Sequence, residues 1–435
     1  MGITNRRNFL RNSALGLFGL PVAANTGLNM GPGSEKTAIK RYKMLGRTGF
    51  KVSDFGSGAP SSEAVLRALL DAGVNVIDTG EAYGNGNNEK LIAKAIKDYD
   101  RSKLFINSKL YAEKDFGSKK DVVERCYASI ERLETDYIDC MMIHSAENSR
   151  IIKDKSFHAA MKKLKKEGKV RYVGVSCHGN NHLVNPEESL EKILMTAVDD
   201  SRFDVIQMAY NFFNAGMAGK VLEACEKHNI GTQIIKSNPV QLYLMMDDRI
   251  QTSKAAGKEV PESTQKFYDK FKAMTEEGKS FFKDYGIINE EELMEAAMTF
   301  VLSDKRAHSV LWAFNSFTDI EVMLKMSGSE LEDKNMALLA NYDESFGRLN
   351  CRIGCSACEV VCPHKMPVGY IMRYNYYFNV KGRQREAMEK FATLPGKKPH
   401  EVCGNCEGHC EGACPYQVST RSVLAAAERN LGGLV

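Results

Sequence analysis

Between Tyr42 and Phe346, short β-branched apolar runs alternate with helical patterns eight times, and nothing else in the chain limits the fold as strongly. Strand candidates end near Gly58, Asp78, Lys109, His144, Ser176, Gln207, Lys236 and Phe314. Helix candidates fall at 62–72, 88–97, 119–133, 155–166, 186–197, 219–228, 289–302 and 319–326. Strands alternating with helices predict a parallel sheet covered by its own crossovers. Eight such units suit an α/β fold, a closed (β/α)8 barrel of roughly 250 residues or more. A doubly wound open sheet is the alternative, but no Gly-x-Gly-x-x-Gly turn follows the first strand. The long polar stretch 241–288 reads as an inserted helical segment over the barrel mouth, after strand seven. After Leu349 the alternation stops. The expected layout is a signal and linker at 1–34, the barrel at 35–346 and a small cysteine-rich domain at 347–435.

Charge excludes one class of partner. A net charge of +4 on 435 residues makes no case for nucleic acid. The densest basic run, "KKLKKEGK" from Lys162, reads as the solvated face of a helix that stops at Gly168. The N-terminus carries a different message. "TNRRNFLRNSALGLFGLPVAANTG" has a basic region, a short apolar region and the small residues Ala23-Ala24. Arg6-Arg7 give it the form of a twin-arginine (Tat) export signal, which implies the Tat machinery as a partner and a periplasmic destination. If the paired arginines are incidental, the chain is cytoplasmic. The apolar part is too short for a transmembrane span.

Eight of the 12 cysteines lie in the last 85 residues. "CRIGCSACEVVCPH" holds Cys351, Cys355, Cys358 and Cys362; "CGNCEGHCEGACPY" holds Cys403, Cys406, Cys410 and Cys414. Proline follows each fourth cysteine. The bacterial ferredoxin run is C-x2-C-x2-C-x3-C-P, with its fourth cysteine serving the other cluster. Each motif here departs from it by one inserted residue. Two 4Fe–4S clusters are expected. By the ferredoxin pattern, Cys351, Cys355 and Cys358 take Cys414, while Cys403, Cys406 and Cys410 take Cys362. Structural zinc and disulfides are the alternatives. Export by the Tat route agrees with a cofactor loaded in the cytoplasm before transfer. The aromatic run "MPVGYIMRYNYYFN" between the motifs is expected to wrap the clusters. Cys126, Cys140, Cys177 and Cys225 lie inside barrel elements and read as core residues.

Residues at the carboxyl ends of barrel strands form the active site of such folds. "VNVIDTGEAYGNGNNEKL" puts Asp78 at the end of strand two and Tyr83 in its loop. "LFINSKL" puts Lys109 at the end of strand three, and "DYIDCMMIHS" puts His144 at the end of strand four. Taken singly, these are a turn cap, a packing ring, a surface lysine and a satisfied core histidine. Together they face one mouth.

Here the sequence resembles the aldo-keto reductase family. The resemblance covers about Tyr42 to Ser327, through "LGRTGFKVSDFGSG", "NVIDTGEAYGNGNNEKLIAKAI", "INSK", "SIERLETDYIDCMMIHS" and "MKKLKKEGKVRYVGVSCHG". It implies a catalytic tetrad of Asp78, Tyr83, Lys109 and His144. Tyr83 would be the proton donor to a small-molecule carbonyl, or the acceptor from an alcohol. Lys109 would lower the phenol's pKa, Asp78 would aim Lys109, and His144 would orient the substrate oxygen. The resemblance also implies nicotinamide, NADP(H) or NAD(H). Ser176 and Gln207 match its amide-binding positions, but Cys177 stands where asparagine is usual. Lys236 and Ser237 replace the usual stacking ring. After strand eight, Asn315 and Ser316 stand where a basic phosphate contact is usual, although a phosphate can meet helix amides near Asp319. A branch of the family carries a ferredoxin-like tail, which this C-terminus resembles. The expected activity is an exported iron–sulfur oxidoreductase acting on a carbonyl or alcohol, a sugar among the candidates. The alternatives are an electron-transfer protein with a relic barrel, serving an electron-transfer partner, and clusters that act only as structural staples.

Overall fold

The alternation closes into a ring. In the computed structural model, which describes residues 37–112, 114–179, 188–240, 262–287 and 291–432, the strands are β1 (Tyr42–Met44), β2 (Lys51–Ser53), β3 (Phe55–Gly58), β4 (Val76–Asp78), β5 (Phe105–Tyr111), β6 (Ile138–His144), β7 (Val170–Cys177), β8 (Val205–Ala209), β9 (Gly231–Ile235) and β10 (Ser309–Trp312). Strands β3 to β10 are parallel neighbours in chain order, and β10 pairs with both β9 and β3. Parallel strands covered on both faces need near-continuous apolar runs, which is why stretches such as "YIDCMMIH" are readable as strands. The export signal expected at 1–34 lies outside the described residues.

The antiparallel hairpin β1–β2 was not expected. It closes the bottom of the barrel. Leu45 and Val52 pack there with Val76, Phe105, Cys140, Met142, Val205 and Leu311. At Gly46 (φ 47°) a side chain has no room: a Cβ would lie 2.3 Å from Gly231 N.

The outer helices follow their caps. Ser62, Ser118, Asp154 and Ser189 each accept a backbone N–H at the start of Glu63–Asp71, Lys119–Arg132, Lys155–Lys166 and Leu190–Asp200. The helix expected at 186–197 therefore begins later. The one expected at 219–228 begins earlier, at Ala215, because Asn211 and Asn214 cap each other's backbone. The basic run from Lys162 ends its helix at Gly168 (φ 70°). Cys126, Cys140, Cys177 and Cys225 are buried.

Of the inserted segment expected at 241–288, residues 241–261 and 288 lie outside the described residues. Its described helix, Gln265–Asp284, packs on the helices Asp333–Phe346 and Thr420–Leu431. The cause is its apolar face. Phe267, Phe271, Phe281 and Phe282 join Tyr342, Phe346, Val418 and Val423 in one core.

Beyond Leu349 the described residues form helices and turns only. Two turns repeat. Met366 N donates to Cys362 Sγ and Val418 N to Cys414 Sγ, both at 3.4 Å. Lys365 (φ 50°) and Gln417 (φ 53°) hold the same left-handed corner. Each turn then opens a long helix, Val368–Asn379 and Thr420–Leu431. This region is not a separate body: Thr37 to Val435 is one compact unit. Gly354 O accepts from Leu190 N (2.8 Å), and a Cβ on Gly179 would meet Gly354 Cα at 2.8 Å.

Candidate active site and thiol cavities

Asp78, the last residue of β4, reaches into the barrel and meets Lys109 from β5. Lys109 Nζ lies 2.6 Å from Asp78 Oδ1 and donates to Thr79 O at 2.7 Å. Both side chains are buried, Lys109 completely. Asp78 Oδ1 also accepts from Gln207 Nε2 (2.8 Å) and Asn107 Nδ2 (3.3 Å). Burial alone would lower the lysine's pKa, but Asp78 and Tyr83 outweigh it, so Lys109 stays charged.

Tyr83 lies above that pair. Lys109 Nζ is 5.2 Å from its ring centroid, and the His144 ring meets it edge-on at 5.2 Å. Burial raises the Tyr83 pKa and the Lys109 charge pulls the other way; burial wins. The lysine thus opposes the cost of ionising the phenol without reversing it. Burial, then Lys109, depresses the His144 pKa to about 3. His144 is neutral, and its Nδ1 has no hydrogen-bond partner. A neutral imidazole beside a phenol suits a substrate oxygen that needs a hydrogen bond.

The expected nucleotide contacts are occupied by the protein itself. Ser176 Oγ accepts from Ser145 N (2.7 Å) and donates to Ile143 O (3.3 Å), so it fastens the backbone around His144. The Gln207 amide holds Asp78. Cys177 Sγ accepts from Gly179 N. Ser316 caps Phe317–Leu324 through Asp319 N (3.1 Å), and the Asp319 carboxylate accepts from Asn315 N (2.7 Å). Of the amides near this helix start, Asp319 N is thus held by a hydroxyl and Asn315 N by a carboxylate. A negative charge there repels an anion.

The helix Val368–Asn379, expected to wrap clusters, also roofs the barrel mouth. Val368 and Met372 face the thiols. Tyr370 Oη donates to Glu147 (2.6 Å), and Tyr376 Oη donates to Asn238 O (3.0 Å). Lys236, in a left-handed conformation after β9, places Nζ 4.1 Å from the Tyr377 ring centroid. Lys381 places Nζ 4.0 Å from that of Trp312, at the end of β10. Burial raises the Tyr377 pKa, but Lys236 and Arg373 outweigh it and the phenol is depressed. The sequence reading missed this second phenol–lysine pair. Its only signal was a lysine where the family has an aromatic ring.

All twelve cysteines are free. Cys351, Cys355, Cys358 and Cys414 line one cavity of about 370 Å³. Cys362, Cys403, Cys406 and Cys410 line a second of about 330 Å³. Each motif gives three thiols to one cavity and its fourth to the other. Among the described residues, no three His, Cys, Asp or Glu side chains gather closely enough to hold a single metal ion. Burial, with the neighbouring thiols, pushes Cys403 up to about 12 and Cys410 up to about 11.

A family model described as the aldo/keto reductase family matches residues 45–344, the greater part of the chain. The chain belongs to that family. It is 28% identical over 219 residues to the aldo-keto reductase YhdN of Bacillus subtilis (strain 168), covering 45% of this chain and 61% of that protein. It is 34% identical over 132 residues to the methylglyoxal reductase YeaE of Escherichia coli (strain K12), covering 30% and 44%. The chain thus spans less than two thirds of the length of these curated relatives. The aldo-keto reductase AKR11C1 from Bacillus halodurans (holo form) shares the fold, with a TM-score of 0.50, 19% identity, and coverage of 72% of this chain and 96% of that one. The aldo/keto reductase match stops at Glu344; it leaves the thiol region and its roof helix outside.

Proposed function

We propose that the chain is an exported iron–sulfur oxidoreductase of aldo/keto reductase type, which interconverts a small carbonyl and its alcohol with Tyr83 exchanging the proton. One observation carries this reading: a completely buried lysine, paired with Asp78 at 2.6 Å, lies beneath the Tyr83 ring with neutral His144 beside it. Carbonyl reduction needs hydride at carbon, which a reduced nicotinamide nucleotide would supply when bound, and a proton at oxygen. Tyr83 gives that proton, and His144 holds the oxygen toward it. The Lys109 cation stabilises the phenolate left behind. Run backwards, the same groups take a proton from an alcohol. The resemblance to a protein named as a methylglyoxal reductase supports a carbonyl substrate.

The thiol region fits two 4Fe–4S clusters. Four cysteines line each cavity, and backbone N–H groups already point at Cys362, Cys406 and Cys414 Sγ. Cys403 and Cys410, which burial pushes up, stay protonated unless a cationic centre takes them, and iron is such a centre. Thiols spread around a cavity also suit a cube better than one zinc ion. When bound, the clusters would supply one-electron transfer. The groups expected to hold a nicotinamide nucleotide are partly engaged within the protein: Asn315 N by the Asp319 carboxylate, Ser176 by the backbone around His144, and Gln207 Nε2 by Asp78. The signal around Arg6-Arg7 supports export.

A second reading, electron transfer with a barrel that has lost hydride chemistry, is favoured by the roof helix and by Lys381 standing over Trp312. The test is Tyr83→Phe. Turnover is measured with a panel of sugars and small carbonyls, using both nicotinamides and a one-electron dye. General acid–base catalysis is worth roughly 10²- to 10⁴-fold, and a loss of that order is expected. Wild-type turnover by the variant with every active pair would give the second reading first place.

A further inference from the structure

Positive charge gathers where the helix Val368–Asn379 crosses the barrel mouth. Arg373, on that helix, lies 4.8 Å over the Tyr370 ring, and its Nε is buried with no hydrogen-bond partner. Lys236 and Lys381 stand at the ends of β9 and β10. Burial, then Lys236 and Arg383, lowers the Lys381 pKa to about 7. Burial also lowers Lys236, partly offset by Tyr377. His178, just past β7, is held neutral by burial and by Arg373 and Lys236; its Nδ1 is buried without a partner.

The carboxylates of this region are engaged elsewhere. Glu147 accepts from Tyr370, Asp319 from Asn315 N and Glu359 from Gly369 N (2.7 Å). Among the described residues, none of Arg373, Lys236 and Lys381 forms an ion pair. Tyr377, Tyr370 and Glu147 together outweigh burial and keep Arg373 charged, yet its Nε, like His178 Nδ1, makes no hydrogen bond. A buried N–H left without an acceptor is costly, and a ligand that accepts from it removes that cost.

A cleft partly open to solvent lies beside Arg373 and His178. Those two, Asn375, Cys351, Cys355 and the Glu359 carboxylate are among the residues that line it. Arg352 lines it too but is committed to Asp343 and to the carbonyls of Gly347 and Asn350. Arg373 and Lys109 both act on the charge of His178, so an anion on Arg373 lies in the same region of the mouth as the tetrad.

We propose that this cleft binds an anionic group of the substrate, a carboxylate or a phosphate, with Arg373 as its anchor. The inference rests on the reading of Tyr83 as the proton donor and names the substrate class for that site. The planar guanidinium matches either anion through two parallel N–H bonds. Lys236 adds positive field, Lys381 adds to it as pH falls below about 7, and the Asn375 amide supplies a neutral polar contact. The other end of the substrate, carrying the carbonyl, then faces Tyr83.

The test is titration calorimetry on the full chain with its clusters, prepared without oxygen. The probes are D-glucose, D-glucuronate, D-glucose 6-phosphate and inorganic phosphate. At least one sugar anion should bind tenfold or more tighter than glucose, and inorganic phosphate should compete with it. The two sugar anions distinguish carboxylate from phosphate. Arg373→Met should lose tenfold or more of the anion's affinity, and Arg373→Lys should lose less. Cluster absorption in the visible range reports that each variant is folded. If Arg373→Met does not fold, Lys381→Met should still weaken the anion severalfold below about pH 7. Equal binding of glucose and both sugar anions, or wild-type anion affinity in the folded variants, would overturn the proposal. Tyr83→Phe keeps its anion affinity whether or not it turns over. Failure of the catalytic reading is therefore seen separately, in turnover alone.

Discussion

Replacing Asp78 by Asn removes one charge from the centre of the barrel and almost nothing else. The amide keeps the carboxylate's shape, and its oxygen still accepts from Gln207 Nε2. Lys109 keeps its bond to Thr79 O but loses its counter-ion. Breaking a buried pair by removing one partner costs about 3–5 kcal/mol. A second route sets the ceiling. The stranded lysine can shed its proton, and from its ordinary pKa of 10.5 that costs about 1.4 kcal/mol for each pH unit below it. The limit is then about 5 kcal/mol at pH 7 and about 2 kcal/mol at pH 9. In the wild type the folded pKa is raised, so the lysine's contribution is complete below 10.5 and is lost only as pH rises through the folded value. The wild-type share is therefore flat from pH 7 to 9, while the variant's penalty shrinks. Urea unfolding followed by the fluorescence of Trp312, the single tryptophan, measures both. Adding Lys109→Met to Asp78→Asn should restore part of the loss. A penalty below about 1 kcal/mol at pH 7, or one that does not change by pH 9, would refute this account of the pair.

Two further outcomes are expected. Cys414→Ser should lower iron from about eight to about four atoms per chain, and the Cys351→Ser/Cys414→Ser double variant should lose no more; loss of both clusters in the double variant would place these cysteines in different cavities. Burial depresses His144 to about 3 and His308 to about 4, so the unfolded chain binds protons the folded one refuses and stability should fall as pH drops from about 6.5 toward 4; in His308→Gln that loss should be smaller, measured by thermal unfolding at each pH.

The barrel was legible because a parallel strand buried on both faces leaves a run that few other elements mimic. The tetrad was legible because its spacing places reactive groups at adjacent strand ends. Other roles depend on facts that spacing does not carry. Ser176 and Gln207 stand at strand ends, yet their side chains turn to Ser145 and Asp78. "SFTD" after β10 is a Ser-x-x-Asp cap, so Ser316 and Asp319 hold amides near the place expected for a phosphate. Arg373 sits in an aromatic run that reads as wrapping for the clusters. Only the docking of that helix on the mouth reveals a guanidinium whose Nε has no partner. Helix Gln265–Asp284 belongs to the segment expected over the mouth, and its phenylalanines pack with Tyr342 and Phe346.

The two halves of the chain build the mouth together. The barrel brings Asp78, Lys109, Tyr83 and His144. The thiol region brings Arg373, Tyr377 and Lys381, together with the roof that makes the site a cavity. Arg373 and Tyr377 share their helix with Val368 and Met372, which line the cavity of Cys351, Cys355, Cys358 and Cys414. Gly354, between two of these cysteines, is in turn locked against Gly179 and Leu190 of the barrel. In the proposed function, loading that cavity with iron and sulfide fixes the roof, and the roof completes the substrate site. In the proposed function the chain is also exported, and a site shared between barrel and thiol region gives a structural reason to fill the thiol cavities before that step.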